Sequence, residues 1–294
     1  MALSNVQRPE RAQGFLASAK RRLRRAPPTA WFGMVVLATY LAAALFAPLI
    51  APYGEYQVVS ETPFEPWSSQ FVFGTDQLGR DLFSRLIFGA RNSIGIAFVT
   101  TLLAFIIGGS LGIVAAALRG VTDQLLSRFV DSVMSIPDLI FTLMLLAIFG
   151  SSVTNLVLII AVIDSTRVFR LSRAAALNVV TLEFVEAAHA RGEKLPWIVT
   201  QEILPNILPV LISEFGMRFC FVFLAIAALS FLGVGLQPPM AEWGSMVRDT
   251  AALISGGDFT PLIPAAAIAL LTVAVNFVAD WFLNESSGLS DDER

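Results

Sequence analysis

Glu183-Phe-Val-Glu-Ala-Ala-His-Ala-Arg-Gly192 runs on to Ile203-Leu-Pro-Asn-Ile-Leu-Pro209, and the reading of this stretch decides the fold. It is the longest clearly polar, helix-compatible segment between long apolar runs. The chain around it has 294 residues, 55% hydrophobic and only 15% charged, where a soluble domain carries about a quarter charged residues. Its apolar residues come in blocks rather than alternating with polar ones, the pattern of a multi-spanning membrane protein. A net charge of −3 is too small to imply a nucleic-acid partner. The single cysteine, Cys220, lies in an apolar run, so no intrachain disulfide can form and it reads as a small buried hydrophobe.

Six apolar runs predict six transmembrane helices in an all-α, polytopic chain: about 31–51, 93–118, 132–149, 153–169, 207–234 and 261–283. The first is too long for a signal peptide's apolar region, and more spans follow, so it reads as an uncleaved anchor. Gly108, Gly109 and Gly112 in the second span would let helices approach closely in lipid. Residues 82–88 read as an amphipathic helix on the membrane surface, and 235–260 as a mixed segment with a short helix. Lys and Arg set the orientation. With the N-terminus cytoplasmic, inside segments hold seven basic residues in 1–30, two in 119–131, and Arg167, Arg170, Arg173, Arg191 and Lys194. The outside segments hold Arg80, Arg85, Arg91 and Arg248. The segment 174–205 is therefore expected in the cytoplasm, and the loops 52–90 and 235–260 outside.

Little supports an enzyme. His189 is the only histidine, so there is no His-rich metal site. Lys20 and Lys194 are the only lysines, and neither follows a phosphate-cradling glycine loop. Asp138 and Asp164 lie in adjacent spans but in no motif of an intramembrane aspartyl protease. No catalytic or metal residue is expected. Ionisable groups inside spans are expensive and suggest function by default. Asp164 and Arg167 have the spacing of a self-neutralising pair near the membrane boundary. Glu214 and Arg218 have the better spacing for a helical ion pair, and the readings as a neutralised pair and as the lining of a wet passage both stand.

In the polar segment, Leu182, Val185, Ala188 and Leu195 form a thin apolar stripe, and Gly192 followed by Pro196 marks a helix end. A short helix, a Gly turn and a second short helix should precede Pro205. Amphipathicity alone fits a helix lying on the bilayer; docking in a partner's groove is the other reading.

Glu186-Ala187-Ala188, then Gly192, Glu202 and Leu204-Pro205, resembles the coupling motif of permease subunits of bacterial ATP-binding-cassette importers. Glu202 departs from it, standing where the family often has an apolar residue. The chain is most similar to the second permease of the dipeptide, oligopeptide and nickel importers. The likeness is carried by Phe73-Gly-Thr-Asp-Gln-Leu-Gly-Arg-Asp-Leu-Phe-Ser-Arg85, Arg170 and Arg173, Glu183, Asn206 and Pro209, Leu229-Ser-Phe-Leu-Gly-Val-Gly235, Gln237-Pro-Pro239, Glu242-Trp-Gly244, Asn276 and Asp280. Positions 174–182, usually charged in the subfamily, are all uncharged here, and Glu214 and Arg218 replace residues usually uncharged.

The resemblance implies a type I ATP-binding-cassette importer permease fold in the bacterial inner membrane. It divides the chain into a cytoplasmic basic arm (1–30), a first transmembrane helix (31–51) and an extracytoplasmic loop (52–90). A core permease domain (91–284) with five transmembrane helices follows, then a cytoplasmic tail (285–294). Implied partners are a homologous second permease, two ATPase subunits, an extracytoplasmic solute-binding protein and membrane lipid. ATP and Mg would be bound by the ATPases, with no cofactor in this chain. Glu183, Glu186, Ala187, Ala188, Arg191, Gly192, Leu204 and Pro205 would couple to an ATPase. Asp164, Glu214 and Arg218, by their charge inside spans rather than by the resemblance, are the candidates for lining the pathway, and Asp76, Arg80, Asp81, Glu242 and Trp243 would meet the binding protein. The solute would be a peptide or a related small molecule such as a nickel chelate or opine. A secondary transporter using Asp164, Glu214 or Asp280 as a proton site is the rival from another class.

Overall fold

The structure, a computed structural model, describes residues 26–286; most of the basic arm and most of the tail lie outside them. Among the described residues there are helices and only two isolated β-bridges. The helices are α1 (Pro28–Leu45), α2 (Ala47–Ile50), α3 (Leu82–Leu118), α4 (Gly120–Met134), α5 (Asp138–Phe149), α6 (Val153–Val180), α7 (Glu183–Ala190), α8 (Leu195–Trp197), α9 (Leu204–Phe231), α10 (Trp243–Thr250) and α11 (Leu262–Ser286). The all-α expectation holds. Four continuous stretches are long and apolar enough to cross a membrane: α1, α3, the run Leu195–Phe231 and α11. The pair α4 and α5 adds up to one more, bent by 87° at its break. The 28-residue α6 carries Asp164, Arg167, Arg170 and Arg173 and stands apart by that charge.

Four features differ from the sequence expectation. Residues 82–88 are the first two turns of α3, capped by Asp81, whose carboxylate accepts from the Ser84 amide at 2.8 Å and its hydroxyl at 2.6 Å. The expected third span is broken at Pro137, because proline disfavours helical geometry in the preceding residue. The expected link 119–131 is itself helical, as most of α4. Finally, α8 is not a separate short helix but runs into α9 through a π turn at Ile198–Ile203. That widened turn lies just before Pro205, whose ring and missing N–H are incompatible with a regular bond to the carbonyl one turn back.

The most extensive helix contact is between α3 and α6. A Cβ on Gly108 would meet the Ser165 carbonyl and sit 2.9 Å from the Phe169 amide nitrogen, and one on Gly112 would lie 2.5 Å from the Phe169 carbonyl. Only glycine permits this approach, and small residues are what lets helices pack where lipid offers no hydrophobic drive. The Ser172 hydroxyl crosses the seam to donate to the Gly108 carbonyl at 3.3 Å. Around this pair, α9 packs on α3, α6 and α11, while α1 packs on α11 and α3.

Two large hydrophobic cores result, beside a small cluster of Ala115, Val130 and Phe169. One gathers Trp243, Phe223, Leu229, Leu156 and Leu271 toward the C-terminal end of α9. The other gathers Ile198, Ile203, Ile207, Val180, Val185 and Ala188 around its N-terminal end. Both involve α3, α6 and α9, and the stretches of α6 and α9 between them carry Asp164, Glu214 and Arg218.

Gly108→Val should destabilise the chain by about 1–3 kcal/mol through overpacking, read as a lower melting temperature of the detergent-purified protein. Gly109→Ala, whose Cβ would meet nothing within 4 Å, should leave it within about 0.5 kcal/mol.

Candidate functional site

The polar segment ends as a helix standing out from the bundle. Only two residues of α7 are buried, Val185 and Ala188, and they insert into the core formed by Val179, Val180, Ile198 and Ile203. Glu183, Phe184, Glu186, Ala187 and Arg191 are exposed. Leu182, expected on the apolar stripe, is exposed at 45%. The two glutamates stand in the first turn, where a carboxylate favours the helix dipole.

The helix stops by a reciprocal pair of backbone bonds. The Gly192 amide donates to the His189 carbonyl at 2.9 Å and the Glu193 amide to Ala188 at 3.2 Å. Gly192 lies at φ +79°, the left-handed conformation this ending needs and glycine adopts without strain. Beyond the turn, Arg191 folds back: it pairs with Glu202 at 3.7 Å and its guanidinium lies 5.8 Å from the centre of the Trp197 ring. Glu202, the departure noted in the sequence, is therefore a strut between the end of α7 and the π turn. Pro205 is exposed and Leu204 half-buried at the start of α9.

The second group joins three helices. Arg167 on α6 pairs with Asp138 on α5, and Asp164 lies 3.9 Å from the same guanidinium. Arg218 on α9 bonds Glu214 at 2.7 Å and reaches Asp164 at 3.7 Å. Asp164, Glu214 and Arg218, expected as members of two separate pairs, are thus brought together. The expected pair of Asp164 and Arg167 is present at the longer distance, while the closer partner of Arg167 is Asp138. The sequence did not rank Asp138 as a site residue; its signal was an acidic residue immediately after Pro137 in an apolar run.

The five residues expected to face a binding protein are turned inward. Asp76, Arg80 and Asp81 are each 3% exposed, and Glu242 and Trp243 each 1%. Asp76 accepts from the Leu78 and Arg80 amides at 2.8 and 3.0 Å and from the Arg80 guanidinium at 2.7 Å; Arg85 lies 3.3 Å away. Arg80 and Arg85 donate onward to the Pro239 carbonyl. Glu55 accepts from Asn92 at 2.9 Å and from the Ala241 amide at 2.7 Å, locking loop to loop. Glu242 caps α10 through the Gly244 and Ser245 amides, while burial pushes its carboxyl above the usual range. Trp243 donates to the Leu86 carbonyl at 2.9 Å and packs on Tyr40 and Phe223. These residues build the cap over the bundle and do not present its outer surface.

The family description "binding-protein-dependent transport system inner membrane component" matches residues 108–284, which hold α6, α7 and both polar groups. The chain belongs to that family. Residues 14–66 match the N-terminal transmembrane domain of oligopeptide transport permease C. The dipeptide transport permease DppC of Alkalihalophilus pseudofirmus is 33% identical over 84% of this chain and 82% of its own length. A probable D,D-dipeptide transport permease of Escherichia coli is 32% identical over 93% and 92%. A glutathione transport permease of Pectobacterium atrosepticum is 31% identical over 88% and 86%. In fold, an inward-facing MetNI methionine ABC transporter structure matches with a TM-score of 0.58 at 18% identity, covering 69% of this chain and 97% of the other. The permease is a multi-pass inner-membrane subunit of a binding-protein-dependent importer and not itself a catalyst; it has the importer permease fold expected from the sequence.

Reversing Glu202 to Lys should loosen the strut, and Arg191→Glu with Glu202→Lys should restore it. For an exposed pair the effect is about 0.5–1 kcal/mol, so amide exchange in residues 191–197 should rise about two- to fivefold in the single variant and return in the double.

Proposed function

We propose that this permease imports short peptides, paired with a homologous second permease, driven by two ATPase subunits and supplied by an extracytoplasmic solute-binding protein. ATP and Mg belong to the ATPases. Six crossings, with α6 counted and α4–α5 taken as one, leave the N-terminus and the α7 segment on the same side of the membrane, and the Lys and Arg bias supports the cytoplasm as that side. The observation that carries the reading is the build of α7. It is a short helix with two buried anchors, exposed charge on its remaining faces and a tight glycine exit. A free linker has no need to be held in this way; a helix that transmits force does.

Docked in a cleft of an ATPase, α7 would present Glu183, Glu186, Ala187 and Arg191. The coupling runs through covalent and packed connections. Two residues separate α7 from α6, and the core around Ile198 and Ile203 ties it to the start of α9. Motion imposed on α7 therefore moves α6 and α9 together, a rigid-body form of alternating access. Exposed Tyr56, Val58, Trp67, Val72 and Leu78 on the outer cap offer the binding protein a surface in place of the buried residues beneath. The peptide class is supported by the dipeptide and glutathione permeases among the relatives.

A tagged chain should copurify an ATPase and a second permease. Glu186→Lys and Gly192→Pro should each lower uptake by about tenfold or more, the second because proline cannot adopt a φ of +79°. Both variants should still insert in the membrane, as judged by yield in the membrane fraction. Uptake that survives with ATPases bound would remove the coupling role of α7.

A further inference from the structure

Between the two hydrophobic cores, five ionisable side chains from α5, α6 and α9 form one network: Asp138, Asp164, Arg167, Glu214 and Arg218. By a rise of about 1.5 Å per residue, Asp164 lies about 16 Å along α6 from its start at Val153, deep within the bundle. Charges at such depth are costly unless paired. Here three carboxylates face two guanidiniums, a formal sum of −1.

The distances say which carboxylate is left over. Arg218 bonds Glu214 at 2.7 Å and approaches Asp164 only to 3.7 Å. Arg167 pairs closely with Asp138 and stays 3.9 Å from Asp164. Both longer contacts reach Asp164 Oδ1. Its Oδ2 is buried with no hydrogen-bond partner among the described residues, on a side chain only 7% exposed. An unpartnered buried carboxylate oxygen at the centre of a net-negative network is a place for a cation. The network opens to its surroundings on one side, where the Arg167 and Asp138 side chains are 37% and 40% exposed.

We propose that Asp164 is the subsite in the translocation pathway that receives the primary ammonium group of the solute, Oδ2 accepting its hydrogen bonds. This deepens the importer reading above and rests on it. Glu214 and Asp138 are positioning residues: by occupying Arg218 and Arg167 they keep Asp164 free for the solute. The site is closed around Oδ2 in this conformation, so the ammonium enters as the three helices part on the Arg167–Asp138 side. A free amino terminus supplies such a group, and an acetylated one does not.

The test uses the whole importer, purified through a tag on this chain, placed in lipid nanodiscs without the solute-binding protein. Binding of radiolabelled dialanine is measured with unlabelled N-acetyldialanine as competitor. The expected result is dialanine binding that N-acetyldialanine fails to displace, weakened about tenfold or more by Asp164→Asn, in keeping with loss of one charged hydrogen bond. Asp164→Glu should recover part of it. Equal displacement by N-acetyldialanine, unchanged binding in Asp164→Asn, or no dialanine binding at all would each overturn the subsite. The competition needs no variant, so it decides even if Asp164→Asn fails to assemble. Absence of ATPases and a second permease from the purified material counts against the importer reading itself and is scored separately.

Discussion

The contact between α3 and α6 is the constraint on which the other features rest. Lipid is as apolar as the side chains it meets, so helices gain little by hiding leucine from it and associate through close packing instead. Gly108 and Gly112 let the two backbones touch, and Ser172 ties them across the seam. That contact sets the register of α6. It thereby places Asp164 and Arg167 opposite α5 and α9, and it fixes the point from which the chain leaves for α7.

On this frame the molecule is two apolar ends with an ionic middle. The core around Trp243 holds one end, backed by a cap in which Asp76, Arg80, Arg85 and Glu55 bind loop to loop. The core around Ile203 holds the other and anchors α7. Closely packed apolar surfaces move as units, whereas ion pairs of 3.7 and 3.9 Å exchange partners at small cost in geometry. The seam through Asp164 is therefore where relative motion of the ends is easiest to accommodate.

The sequence marked where solvent chemistry changes along the chain, and helices do not stop at those points. Residues 82–88 read as an amphipathic surface helix, yet backbone hydrogen bonding carries α3 straight through. Residues 195–203 read as a separate cytoplasmic helix, yet they join α9 through a π turn. Helix bonding is local and indifferent to the surrounding medium, so a change in polarity bounds the membrane without bounding the element. The reverse error occurred at Pro137, where an apolar run concealed a bend of 87°.

What the sequence determined by itself was the all-α membrane class, the orientation bias, the family likeness, and the position and ending of α7. Each depends on local composition or on spacing along one helix. Val185 and Ala188 lay on the apolar stripe and Gly192 marked a stop wherever the helix was placed. Tertiary structure alone decided the partners of the charges. Asp76, Arg80 and Glu242 look like surface residues in sequence and are buried, because two distant loops bring complementary groups together and satisfy them. Arg167 turns from Asp164 to Asp138 and leaves one carboxylate oxygen unpaired, since the preference among competing ion pairs is set by distances across helices.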